Sequence, residues 1–407
     1  MFIFDIRKIM LIIITSIIFL NLSVYLPVVG LYPLPGYTID IMIFSFLFFF
    51  YLKKGLTFPI NNMILLWLLY YTVLNIIYFL ASSIGMEEYT IFKLIIFFIF
   101  FIFSMLMYFN LDDSELTFIR KTLIPLAIIA MITLGIDFFD PGFFLRDFTS
   151  AIYYEAGRAA SLYLNANIAG GAMVVFLIFT IDLIPKKLRI LYIMIIFLGV
   201  FFTMSRSNLM IFFLTIGLMT YQKKLYTRHL FISFAGIVTF FIILATGGLE
   251  MLADKYDFEV TDNMMSRINF FADSSKSNTG DMNERKRVLM AALEMFADEP
   301  IFGNGFASTR LWQYKVSPHN TFALNWADFG FFGVLIIPLL LYFATYNIFK
   351  FGSNNQKNIA LLTIIYFIGS SFFSHNMLEQ PLSVGIMVAL AVMGHKSKNN
   401  FKKRKNI

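Results

Sequence analysis

Apolar residues in this chain run in long blocks separated by short polar or charged interruptions, the pattern of membrane-spanning helices rather than of amphipathic surface helices. A helix needs about 20 apolar residues to cross a bilayer. Twelve blocks approach that length, at 9–29, 38–52, 60–84, 89–109, 120–139, 163–184, 189–205, 207–222, 229–248, 319–347, 357–374 and 380–395. The weakest boundary lies between 189–205 and 207–222, where Ser205-Arg206-Ser207 is the main polar interruption. The first block follows Arg7 and Lys8, lacks a small-residue cleavage site and is closely followed by a second apolar block, so it reads as a signal anchor. The predicted fold is an all-α polytopic integral membrane protein of about 12 transmembrane helices with a large extracytoplasmic loop module. Its domains are 1–248 (helices one to nine), 249–318 (the loop module), 319–395 (helices ten to twelve) and 396–407 (a basic cytoplasmic tail).

Composition agrees. Of the 407 residues, 59% are hydrophobic, 51 are Phe and only 14% are charged, against about a quarter charged in soluble domains. That much apolar surface excludes a soluble enzyme and a nucleic-acid-binding chain, despite a net charge of +7. Cysteine is absent, which excludes disulfides, thiolate metal sites and a thiol nucleophile.

The basic residues fix an orientation. With the N-terminus cytoplasmic, 20 of the 32 Lys and Arg fall on the inner side, with 5 acids. The other side carries 12 basic and 20 acidic residues, eight of the basic ones in the long loop. The overall charge therefore resolves into +15 inside and −8 outside.

The long loop, 249–318, opens on Gly247-Gly248 and is too long to be structureless in a compact protein. Asp281 reads as a helix N-cap with Glu284 completing a capping box, and the helix is predicted to end near Asp298, before Pro300. At 100° per residue, the mean direction of Val288, Leu289, Ala292, Leu293, Met295 and Phe296 coincides with Arg285, while Arg287 points about 200° away. Gly303-Asn304-Gly305 then reads as a tight turn.

Four groups fall on the outward side without having been used to set the topology: Arg158, ahead of Asn165-Ala166-Asn167; Arg206, at a helix end; Arg285, on the docking face of the loop helix; and His319, in Pro318-His319-Asn320. Each has an ordinary reading too. Arg206 could snorkel to the interface, Arg158 could be a loop charge, Arg285 could pair with a loop acid, and His319 could cap its helix. Asp328 lies some nine residues into the last of these helices and reads as an internal ion-pair former. His375-Asn376, with Glu379 nearby, reads as lining. Several arginines with one histidine suit a phosphate-bearing leaving group: guanidinium forks onto phosphate oxygens, and neutral imidazole takes a proton from an attacking hydroxyl. Metal-dependent phosphate chemistry would want converging carboxylates instead. Metal-free group transfer from a membrane-embedded pyrophosphate donor is therefore favoured, with no cofactor.

These residues carry a family resemblance. Arg158 ahead of Asn165-x-Asn167, Thr203-x-Ser205-Arg206-Ser207, Arg285 followed by Pro300 and Gly303-x-Gly305, and Pro318-His319-Asn320 followed by Asp328-Phe329-Gly330-x-x-Gly333 together resemble the O-antigen ligase and polymerase superfamily of bacterial envelope polysaccharide assembly. Leu289 stands where many relatives carry Trp, and Asp328 where Glu is commoner. The resemblance implies an inverting, metal-independent glycosyltransferase with catalytic Arg206, Arg285 and His319. It also implies substrate binding by Arg158, Arg206, Arg285, Asn320 and Arg287. The implied substrate is an undecaprenyl-pyrophosphate-linked oligosaccharide in a bacterial inner membrane, with membrane lipid, a chain-length regulator and a flippase as partners and no nucleic acid. The expected activity is lipopolysaccharide or capsule polymerisation, with transfer to lipid A core by a ligase as the near alternative. A transporter is the distant one, disfavoured because Asn75, Asn325 and Asp328 are the few polar candidates at depth.

Overall fold

The computed structural model describes residues 6–52, 57, 62–81, 88–145, 158–228, 231, 235, 239, 251, 255, 279–309, 312–314, 316–374, 377, 378 and 380–405. Among the described residues the protein is helical, with no strand. The helices are α1 (Ile6–Phe19), α2 (Leu22–Val28), α3 (Tyr37–Leu52), α4 (Ile64–Ala81), α5 (Glu88–Asn110), α6 (Asp113–Phe139), α7 (Ala166–Thr180), α8 (Arg189–Phe202), α9 (Arg206–Tyr221), α10 (Thr279–Asp298), α11 (Thr321–Phe351), α12 (Asn354–Phe373) and α13 (Pro381–Lys405). The chain divides into two compact units, residues 1–36 with 114–279, and residues 37–113 with 280–407.

In the first unit α7 is the core. Nearly every side chain from Ala166 to Thr180 is buried, as befits a helix that is apolar all round. Helices α8 and α9 pack on it. Asn165 starts the helix, its side chain accepting from the backbone N–H groups of Asn167 and Ile168 at 2.9 and 3.3 Å. Gly170 is required by close approach: a Cβ there would stand 2.7 Å from Asn208 Nδ2 and 3.0 Å from Thr203 Oγ1.

In the second unit α11 is central, packed by α4, α12 and α13. Helix α4 is tied to it by Trp67 Nε1 donating to the Ile336 carbonyl at 2.8 Å, the Tyr70 hydroxyl to Phe332 at 2.5 Å and the Tyr78 hydroxyl to Phe329 at 3.2 Å. Helix α11 breaks at Gly330, whose φ of 58° and ψ of −138° leave the helical region. The break folds residues 321–329 back, so that the Asn325 carbonyl occupies the place a Cβ on Gly333 would take. The Gly330-x-x-Gly333 spacing thus supplies one glycine for the turn and one for the close approach.

Among the described residues, three helices are long and apolar enough to cross a membrane, α4, α6 and α11, with α1 and α2 forming a fourth span if the 70° bend between them is counted within one crossing. Helices α7 and α8, with 15 and 14 residues, reach only about 22 Å at 1.5 Å per residue, short of a hydrocarbon core of about 30 Å. The predicted block 9–29 is therefore two helices, turned at Leu20 and Asn21 (φ 56°). The boundary at Ser205-Arg206-Ser207 is real, since α8 ends at Phe202 and α9 starts at Arg206. The tail predicted at 396–407 continues α13 as far as Lys405. The block 229–248 and the first part of the 249–318 loop lie mostly outside the described residues.

Candidate functional site

Arg158 and Arg206 belong to the first unit; Arg285, Arg287, His319 and Asn320 belong to the second. In the first unit the site starts from Asp137, near the end of α6. Its Oδ2 accepts from the backbone N–H groups of Ala160 and Ser161, both at 2.8 Å, and its Oδ1 from that of Gly142 at 3.2 Å. A buried carboxylate that accepts backbone donors is a strong anchor, and here it pins the segment carrying Arg158. The Tyr163 hydroxyl donates to the Phe19 carbonyl, and Asn21 Nδ2 donates to the Tyr163 carbonyl, so the α1–α2 bend grips the same segment.

So held, Arg158 lies across the α8–α9 junction. Its Nη2 donates to Asn167 Oδ1 at 2.7 Å and its Nε to the Thr203 carbonyl at 3.3 Å. Asn167 Oδ1 also accepts from Ser205 Oγ at 2.9 Å, while Asn208 Nδ2 donates to the Asn167 carbonyl at 2.7 Å and to Ser205 Oγ at 3.0 Å. Ser205, at the N-cap position of α9, makes no side-chain cap; its hydroxyl is committed to this network. Arg206 is the first residue of α9 and is partly exposed. The structure therefore brings Arg158 onto the junction from which Arg206 projects.

In the second unit, α10 begins at Thr279, two residues ahead of the predicted cap at Asp281, and ends at Asp298 as predicted. Val288 and Ala292 are buried, and Ala292 packs on Ala323 and Ala327 of α11 with Leu289, Leu293, Met295 and Trp312 around them. Arg285 is half-buried, while Glu284, Lys286 and Arg287 are exposed. The helical-wheel expectation of an inward Arg285 and an outward Arg287 is met, and the Arg287 guanidinium lies 5.6 Å from the Tyr314 ring centre.

The cap of α11 is Asn320, whose Oδ1 accepts from the Ala323 N–H at 3.0 Å. That role constrains Asn320 as a substrate ligand and removes the capping alternative from His319, which stands one residue further out, partly exposed. The predicted turn at Gly303-Asn304-Gly305 is present, with φ of 68° at Gly303 and 102° at Gly305. It is stitched into the α11 break. The Asn304 N–H and side-chain amide donate to the Ala327 carbonyl, the Gly305 N–H donates to Asp328, and the Phe331 N–H donates to the Pro300 carbonyl at 2.8 Å. Asp328 Oδ1 accepts from Ser308 Oγ, Thr309 N and Thr309 Oγ1 at 2.8 to 3.0 Å. Asp328 is thus a clamp on the loop.

Sequence reasoning missed Asp137 and Asn208 as site-building residues. A carboxylate at the end of an apolar block, and an Asn three residues after Ser205 on one helix face, were the available signals. His375, Asn376 and Glu379 lie outside the described residues.

The stretch from the start of α8 into α11 holds both the Arg206 junction and the loop that ends at His319. Residues 190–337 match the family model of O-antigen ligase. Over this segment the chain is O-antigen ligase-like. No curated protein gives a significant match. The matched segment includes Arg206, Arg285, Arg287, His319 and Asn320 and leaves Arg158 and Asn167 outside it. With its apolar helices, the O-antigen ligase match points to a multi-pass membrane protein and to a glycosyltransferase-like enzyme of O-antigen assembly.

Proposed function

We propose that the protein is an envelope polysaccharide polymerase of the bacterial inner membrane, with about twelve spans, a cytoplasmic N-terminus and its working face extracytoplasmic. The proposed domains remain 1–248, 249–318, 319–395 and 396–407. The donor is a glycan on undecaprenyl pyrophosphate, and the acceptor is a sugar hydroxyl of another lipid-linked repeat. The acceptor oxygen attacks the anomeric carbon from the face opposite the leaving group. The bond from that carbon to the pyrophosphate oxygen breaks, and undecaprenyl pyrophosphate departs with the bonding pair. His319 takes the acceptor's proton or orients the acceptor, with Glu284 as the alternative base. Arg206 and Arg285 each hold pyrophosphate oxygens as their charge grows, since such stabilisation acts where charge develops. Arg158, Asn320 and Arg287 complete the substrate contacts.

The observation that supports this reading best is the polar junction at Arg158, Asn167, Ser205 and Asn208. A network of fixed dipoles holds a guanidinium beside the start of α9, where backbone N–H groups favour an anion. The description of the matched family favours a second reading, transfer of the finished glycan to lipid A core. Purified protein in detergent with chelator present, given lipid-linked repeat alone, is the test. Polymer formation supports the polymerase. Transfer only when lipid A core is added supports the ligase, and no transfer with either acceptor overturns both. In cells, polymerase loss leaves core bearing one repeat, whereas ligase loss leaves bare core.

A further inference from the structure

The break in α11 also places the membrane boundary. Residues 331–351 rise about 31 Å at 1.5 Å per residue, which matches a hydrocarbon core of about 30 Å. The whole 31-residue helix would rise about 46 Å if straight. Two neighbouring helices act as rulers. The Tyr78 hydroxyl, three residues from the end of α4, reaches the Phe329 carbonyl. The Phe372 ring, one residue from the end of α12, lies 4.9 Å from that of Phe322, and the Thr321 hydroxyl donates to the Ser374 carbonyl. Phe322 and Phe329 therefore both stand at helix ends, seven positions apart in sequence yet at similar depth. Residues 321–329 run across the membrane face instead of continuing through it, and the contact between the Asn325 carbonyl and Gly333 requires the same fold-back.

The loop tip at 300–302 is fixed to that level, because the Phe331 N–H donates to the carbonyls of Pro300 and Ile301 at 2.8 and 3.2 Å. Ile301, Phe302 and Phe331 are 59, 65 and 54% exposed, and the Phe302 ring lies 6.3 Å from that of Phe332. Large apolar side chains bared together at this level, where the Pro300 and Ile301 carbonyls are engaged, have the character of a surface solvated by lipid. The acids Asp298 and Glu299 immediately precede the tip and are exposed, as suits a chain leaving water for the interface.

We propose that the 300–302 tip is a membrane anchor, with Ile301 and Phe302 inserted beside Phe331 into the upper acyl region of the leaflet and residues 321–329 lying in the headgroup layer. His319 and Asn320, just ahead of that segment, then stand at headgroup depth, where a lipid-linked donor carries its phosphates; this last clause alone rests on the proposed function.

The chain has no cysteine, so Phe302→Cys carries a single thiol. Bimane on that thiol, in full-length protein in phospholipid nanodiscs, reports depth without any substrate, and bimane on Lys286→Cys, on the exposed face of α10, is the aqueous reference. The expected result is several-fold stronger quenching at 302 than at 286 by phospholipid carrying a nitroxide high on its acyl chain, with the reverse order for iodide. Iodide quenching at 302 equal to that at 286 overturns the anchor, and so does shielding from both quenchers, which would show a protein-covered tip. If Phe302→Cys does not stay monodisperse, Ile301→Cys is read by the same criterion. Loss of transferase activity would not alter either reading.

Discussion

Four side chains have consequences that can be measured singly. Arg206 and Arg285 are proposed to fork onto phosphate oxygens, and a lysine keeps their charge without the fork. Arg206→Lys and Arg285→Lys are each expected to lower polymer formation by about a hundredfold, the cost of removing one transition-state donor, with folding retained. Near-normal polymer from both would remove the phosphate-clamp reading. Asp137 is proposed to act through Arg158, whose segment it pins. Asp137→Ala deprives the N–H groups of Ala160 and Ser161 of their acceptor, a loss of roughly 3 kcal/mol. Polymer yield should fall while the protein still purifies monodisperse; an unchanged yield would show that Arg158 needs no such anchor. Lys224, beyond the end of α9, has an Nζ with no hydrogen-bond partner among the described residues. Burial, with Arg120 and Arg189 nearby, lowers its pKa from 10.5 to about 8, and Asp182 only partly opposes this. The folded protein therefore binds fewer protons than the unfolded chain between about pH 8 and 10.5, so stability should rise with pH across that window by up to about 3 kcal/mol. Lys224→Met should raise the thermal midpoint at pH 7 and flatten this rise; a parent-like pH profile would discard the assignment.

Elements make a different kind of claim, because the break in α11 and the 303–305 turn define each other. Each of Gly303 and Gly330 has positive φ, and a Cβ on either would collide with the other's backbone, that on Gly330 lying 2.5 Å from Gly303 N. Gly330→Ala and Gly303→Ala should each destabilise by roughly 3 kcal/mol, read as a lowered unfolding midpoint in detergent, whereas Gly217→Ala, where a Cβ meets nothing within 4 Å, should be neutral. Equal midpoints for all three would mean the splice does not hold the loop. Much of this was legible beforehand. The α8–α9 boundary followed from three polar residues, and the inward face of α10 from 100° periodicity. The α1–α2 bend was not, because Leu20 and Asn21 sit in an apolar run with no proline or glycine between the two helices. Nor was the fold-back of 321–329, because periodicity records which face is buried and carries no information on whether a helix turns.

At the scale of the molecule, each unit is built from two separated stretches of sequence, and the segment that matches the family model runs through the crossing at 279/280. A local motif search could find the arginines and the histidine, but not Asp137, which holds the Ala160 and Ser161 backbone beside Arg158 from an earlier helix. The charge distribution makes the global prediction. A fluorescent protein fused after residue 405 should fold and emit, as a cytoplasmic C-terminus requires. A periplasm-dependent phosphatase inserted at Lys255 should be active, since 249–318 is predicted to be extracytoplasmic. Activity on the opposite sides would invert the topology.

The mutual exclusion between Gly303 and Gly330 bears on how such a protein can change. Most tight contacts can be repaired from either side, since a residue enlarged here is accommodated by one trimmed there. Between two glycines there is nothing left to trim. Damage at either position has no remedy at its partner, so reversion must come from the same codon or from backbone that shifts elsewhere. The pair therefore constitutes a point of low evolvability at the junction of the loop with α11.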